Sequence, residues 1–249
     1  MSIPVNRIIE NLDRSFAKKD FDAAENLLKY WLSEAEKEND IPGKITVLNE
    51  QIGFYRKLGR EKDGIKAIES ALELSEKAGF DSTVSFATTL INAATGYKAF
   101  EKAEKALPLY EKAKVIYENS LNENDPRLGG LYNNMALTVS ALGDFARAKE
   151  LFERALEIMK RAPHGELEQA ITYCNLADLV SAEKGTVEGE KEIAEYLGNA
   201  LALFDEQSVE RNGYYAFVCE KCAPTFGLYG WFLAERDISK RAEEIYERS

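Results

Sequence analysis

Apolar residues recur along this chain at intervals of three and four, the period of a helix with one buried face. Ala148, Phe152 and Ala155 mark such a face, and the same spacing of four and three returns as Ala24, Leu28, Trp31; as Gly64, Ile68, Ala71; as Ala106, Tyr110, Ala113; and, more loosely, as Ile193, Leu197, Ala200. Measured at the third member, the steps are 40, 42, 42 and 45 residues. Ala242 and Tyr246 mark a sixth, truncated copy. Between these helices lie others of a different character. Residues 82–97, 128–142 and 222–234 contain no charged side chain, whereas 144–161 alternates acids and bases as a solvated face does. An uncharged helix too short for a membrane must be covered by protein on most sides.

The punctuation agrees with a chain of hairpins. In 141–148, ALGDFARA, one helix stops at Gly143 and the next starts at Asp144, a good N-cap residue. Asp81, Asp125-Pro126 and Gly59 divide the other copies in the same way. Pro108 falls inside a second helix, which requires a start near Glu104 or a kink. A lone hairpin cannot bury its apolar faces, so a period of about forty predicts an all-α solenoid, a stack of some six hairpins. The copies are expected at about 3–38, 43–79, 82–120, 126–162, 166–207 and 213–249, within one domain spanning 1–249. Twelve helices are expected, with room for a thirteenth around 214–221, and no strand.

The stretch Leu142-Gly-Asp-Phe-x-x-Ala148-x-x-x-Phe152-x-x-Ala155 resembles the tetratricopeptide repeat signature, and the likeness covers nearly the whole chain. Asp125-Pro126 followed by Asn133-Asn134-Met135-Ala136, with Pro108 in Ala-Leu-Pro-Leu-Tyr, is similar to the longer variant found in kinesin light chains. The fifth copy departs from it through the lengthened turn EKGTVEGE at 183–190, and the sixth is weak. The resemblance implies a right-handed superhelix, first helices on its inner wall, and a protein- or peptide-binding scaffold that works through its concave groove.

On the helical wheel Tyr132, Met135, Ala136 and Val139 share one face, with Asn134, Leu137 and Ala141 opposite. The second face is the candidate groove lining. Its best-marked position recurs as Glu50, Asn92, Asn134 and Asn175, and neighbouring candidates are Thr95, Leu137 and Asp178. An asparagine offers an acceptor and two donor hydrogens, enough to pair with a peptide unit whatever its side chain. Tetratricopeptide domains that clamp C-terminal carboxylates use inner Lys and Arg; here that wall is uncharged or acidic, so such a clamp is not expected.

Charge sharpens the partner. The net charge is −11, and residues 161–249 hold nine basic against seventeen acidic side chains, so a neutral or basic protein or peptide fits better than nucleic acid. No signal-like or membrane-spanning segment is expected, and three cysteines make no disulfide framework, which points to the cytoplasm. Cys219-Glu-Lys-Cys222 has a metal-like spacing but no second pair, and His164, the single histidine, reads as a turn residue. No cofactor, metal or catalytic grouping is expected. Alternative readings are a self-associating scaffold, a homodimer through the uncharged aromatic segment 225–233, and a peptide-responsive receptor without its output domain.

Overall fold

A computed structural model describes residues 2–248. Among them there are twelve α-helices and no strand. They form two compact units, 1–120 and 121–249. The first unit holds α1 (Val5–Ala17), α2 (Phe21–Lys37), α3 (Ile41–Lys57), α4 (Glu61–Lys77), α5 (Val84–Ala99) and α6 (Ala103–Ser120). The second holds α7 (Pro126–Ala141), α8 (Phe145–Arg161), α9 (Glu166–Lys184), α10 (Glu190–Asp205), α11 (Gly213–Leu228) and α12 (Phe232–Tyr246). Consecutive helices pair as hairpins, and within each unit neighbouring hairpins meet through their first helices. In the first unit α3 packs on α2, and α5 on α3 and α4; in the second, α9 packs on α7 and α8, and α11 on α9. Each unit is thus an all-α solenoid segment.

The triplet positions are where the helices close on one another. All members are buried except Trp31, which is half-buried. Small residues there set the approach: a Cβ on Gly64 would lie 2.6 Å from the Phe100 ring. First helices bury most of their circumference, as α7 does with Leu128, Leu131, Tyr132, Met135, Ala136 and Val139. Second helices bury a stripe, in α8 chiefly Ala148, Phe152, Ala155 and Ile158.

Asp20, Asp40 and Asp144 each accept a backbone N–H three residues on, starting α2, α3 and α8. The first helices then end at left-handed residues, among them Gly59 and Gly143 with φ of 65° and 85°. Pro108 lies in the second turn of α6, where the helix has begun at Ala103, close to the expected start.

Four expectations need correction. Thr83, not Asp81, caps α5, because its hydroxyl accepts from Phe86 N at 3.1 Å. Residues 214–221 are no separate helix but the first half of α11. The last helix is Phe232–Tyr246, so the aromatic segment 225–233 is divided by a turn at Gly230. Ala242, 42 residues after Ala200, fills the third triplet position, with Ile238 buried before it, while Tyr246 points out and donates to Glu220.

A charge forced into one of these contacts has no partner to receive it. Ala148→Glu is expected to cost about 3 to 5 kcal/mol, seen in circular dichroism as a loss of helix and a collapsed thermal transition; a soluble, native-like melt would place Ala148 elsewhere.

Candidate functional site on the first helices

The first helices carry polar side chains at the level where one helix meets the next. In the first unit, Asn92 of α5 donates from Nδ2 to Asn49 Oδ1 of α3 at 3.2 Å. Asn49 Nδ2 donates in turn to Thr89 Oγ1 at 3.0 Å, and that hydroxyl donates to the Ser85 carbonyl. Thr89 and Asn92, three residues apart on α5, so grip one asparagine of α3. The second unit repeats the device: Asn175 Nδ2 of α9 donates to Asn133 Oδ1 of α7 at 3.0 Å, and Thr172, three residues earlier, is buried with its hydroxyl on the Glu168 carbonyl. Buried amides are costly unless bonded, and here each acceptor is met.

The asparagines singled out by the sequence therefore divide. Asn92 and Asn175 spend a donor inside the fold. Asn134 is half-buried and its amide makes no hydrogen bond among the described residues; only its backbone carbonyl is engaged, by Thr138 Oγ1. Leu137, one turn on, is half-buried beside it on the same helix. Thr95 is tied to Tyr110 of α6, the two oxygens 2.8 Å apart. Asp178 accepts from Tyr229 Oη at 2.9 Å, and Glu50 has no ion-pair partner among the described residues.

Two of these are carboxylates that the fold desolvates. Burial pushes Glu50 above the usual range, helped by the negative charge of Asp13. Burial does the same to Asp178, although the Tyr229 hydroxyl works against it. Each unit thus carries a half-buried acid on a first helix, a group that a hydrogen-bond donor or a positive charge would stabilise in its ionised form.

The cysteines are core residues. All three are free and buried in the second unit. Its hydrogen bond with Cys222, with burial second, raises the Cys174 thiol well above the ordinary range, and burial pushes Cys219 up to about 12. Thiols held protonated in this way are poor nucleophiles and poor ligands. His164 is exposed in the turn before α9, with φ 58°. Among the described residues no helix is long and apolar enough to cross a membrane, and no three His, Cys, Asp or Glu side chains gather as metal ligands.

Sequence reasoning singled out the asparagine column but missed what meets it. Asn49 and Asn133 stand one position before Glu50 and Asn134, and the Thr-x-x-Asn spacing at 89–92 and 172–175 was the signal that linked them. Gln51, a buried polar side chain on α3, was missed too.

Residues 85–161 and, overlapping them, 127–185 match the family model of the tetratricopeptide repeat. A human relative, tetratricopeptide repeat protein 19, mitochondrial, is 28% identical over 155 residues, which is 62% of this chain and 39% of that protein. Among solved structures, BtubC (BKLC) from P. vanneervenii superposes with a TM-score of 0.70 at 23% identity, covering 84% of each chain. NprR in complex with its cognate peptide NprX superposes with a TM-score of 0.63 at 14% identity, covering 96% of this chain and 66% of that one. At these identities the structural likeness is one of fold.

The asparagine clasp separates two kinds of variant. Asn92→Ala and Asn175→Ala each strip an acceptor of its donor, half-buried at Asn49 and buried at Asn133, and are expected to lower stability by about 1 to 3 kcal/mol, whereas Asn134→Ala is expected to leave the melting temperature within a degree or so. Thermal melts of the three single variants check this; equal losses at all three would mean that Asn134 is also bound within the fold.

Proposed function

The chain is a tetratricopeptide-repeat protein, and we propose that it is an adaptor that holds a neutral or basic segment of another protein against the exposed face of its first helices. The observation that carries this reading is the unbonded amide of Asn134, half-buried beside Leu137. An amide kept open at a position whose counterparts are bonded inward retains the capacity to pair with a peptide unit. Asn175 and Asp178 are the accompanying contacts in the same unit; Glu50, Asn92 and Thr95 are the corresponding candidates of the first unit by itself, Asn92 and Asn175 through what their inward bonds leave unused. Desolvated acids at Glu50 and Asp178 favour a donor-rich or cationic ligand, in keeping with the net charge of −11. NprR, which shares the fold, is described with its cognate peptide bound, which lends the peptide reading support by analogy alone. Recognition rather than catalysis is the role proposed, and a reducing, cytoplasmic setting suits three buried free thiols.

A second reading, self-association, is favoured by one feature of the last hairpin. Leu228, Phe232 and Leu233 are 72%, 67% and 81% exposed around its turn, beside a crevice of about 490 Å³ lined by Leu201 and Trp231. Apolar side chains gathered in this way mark contact surfaces.

For the first reading, wild type and Asn134→Ala are used as bait in a native lysate and the retained proteins are identified by mass spectrometry. Partners present with wild type are expected to fall at least tenfold with the variant at unchanged melting temperature; an identical retained set would exclude the Asn134 face. For the second, sedimentation of wild type is expected to show concentration-dependent dimers that Phe232→Asp abolishes. A wild-type monomer at every concentration would remove it.

A further inference from the structure

Gln51 breaks the pattern of its own repeat. The counterparts of this position on α5, α7 and α9 are Ala93, Met135 and Leu176, all fully buried and apolar. Gln51 is as deeply set, only 6% exposed, yet it is an amide. It forms no hydrogen bond among the described residues, although none of their fully enclosed side-chain nitrogens or oxygens lacks a partner. Its polar end must therefore reach an opening. The opening it lines is a crevice of about 240 Å³ between α2 and α4, floored by α3, with Leu32, Leu48 and Tyr55 beside it. A second hollow of about 310 Å³ shares Leu32, Leu48 and Ser70 and continues the crevice past Leu74. This surface lies on the side of the second helices and uses none of the residues proposed above.

The charges along the crevice are committed with one exception. Lys44 pairs with Glu36, Lys77 with Glu73, Lys29 with Glu25, and Asp63 with Arg60. Lys66 lines the same hollow as Gln51 and has no ion-pair partner among the described residues. From Lys44 to Tyr55 the floor runs eleven residues of helix, about 16 Å at roughly 1.5 Å per residue, the length of about five extended residues at roughly 3.3 Å each.

We propose that this crevice is a second binding site, which takes an extended segment of about five residues from a partner protein. Gln51 pairs with one backbone peptide unit of the segment, offering both a donor and an acceptor. Apolar side chains lie between Leu32 and Leu74 over Leu48. A carboxylate side chain meets Lys66. The same amide accounts for the departure from pattern: an apolar residue here would pack better, and local rules are broken where a site needs them broken.

The test pans a phage-displayed library of random linear heptapeptides on the full chain and measures the most enriched sequences as synthetic peptides by calorimetry. Enriched peptides are expected to carry an Asp or Glu. Gln51→Leu is expected to weaken them at least tenfold while its melting temperature equals or exceeds that of wild type. Lys66→Glu is expected to weaken them to a similar degree, and Asn134→Ala to leave them unchanged. If Gln51→Leu does not fold, Gln51→Ala, which restores the residue type of position 93, is read in the same way. Peptides that bind the Gln51 variant as tightly as wild type, or a library that yields no Gln51-dependent peptide, would overturn the proposal.

Discussion

A two-helix hairpin has more apolar surface than its partner helix can cover, and the whole organisation of this chain follows from that shortfall. Covering the surplus requires another hairpin at close range, and close range requires small side chains at the crossing. Ala24, Ala106 and Ala148, with Gly64 in the same role, provide it, while Leu28, Tyr110 and Phe152 fill the space beside them. At Gly64 there is no room even for a Cβ against Phe100. Because every copy solves the same problem with the same positions, these residues define the repeat and say nothing of what distinguishes one copy from another.

Close packing of smooth apolar helices leaves their rotation and register weakly specified. The amide clasp supplies what packing lacks. Asn92 with Thr89 on Asn49, and Asn175 on Asn133, join successive first helices through bonds that hold only in one alignment. Between α9 and α11 a thiol pair, Cys174 with Cys222, stands at this level instead of the amides. Sulfur bonds weakly, so that junction rests more on its packing, from Phe226, Leu197 and Ile238. The added stability from each bonded amide is modest, but the penalty for a wrong register, a buried unpaired amide, is not.

Much of this was legible in the sequence. Triplet spacing, capping aspartates and turn glycines each depend on one helix or one turn, and such local rules are enough to predict an all-α chain of hairpins. The misreadings share a cause. At residues 222–234 the lack of charge hid the break at Gly230, because uncharged residues on both sides of a turn look continuous. Tyr246 resembled a triplet aromatic, but Ile238 and Ala242 fill the last copy's buried stripe and leave the tyrosine outside. The partners of the asparagines lay out of reach for a different reason. Whether Asn134 or Asn133 turns inward depends on the rotation of α7 against α9, a property of two helices some forty residues apart.

It follows where function is to be sought in such a chain. Selection for folding acts on the positions every copy shares, so a side chain that serves only stability should look like its counterparts one period away. Ala148 does. Asn92 and Asn175 do, and each is bonded inward. Gln51 does not, nor does Asp178, whose counterparts are Thr95 and Leu137. Gln51 is nearly enclosed yet keeps its amide unbonded, and Asp178 keeps a carboxylate where burial disfavours its charge. A departure that costs stability in one copy and is absent from the others is poorly explained by the fold, and the physical account left is an interaction the isolated chain does not contain.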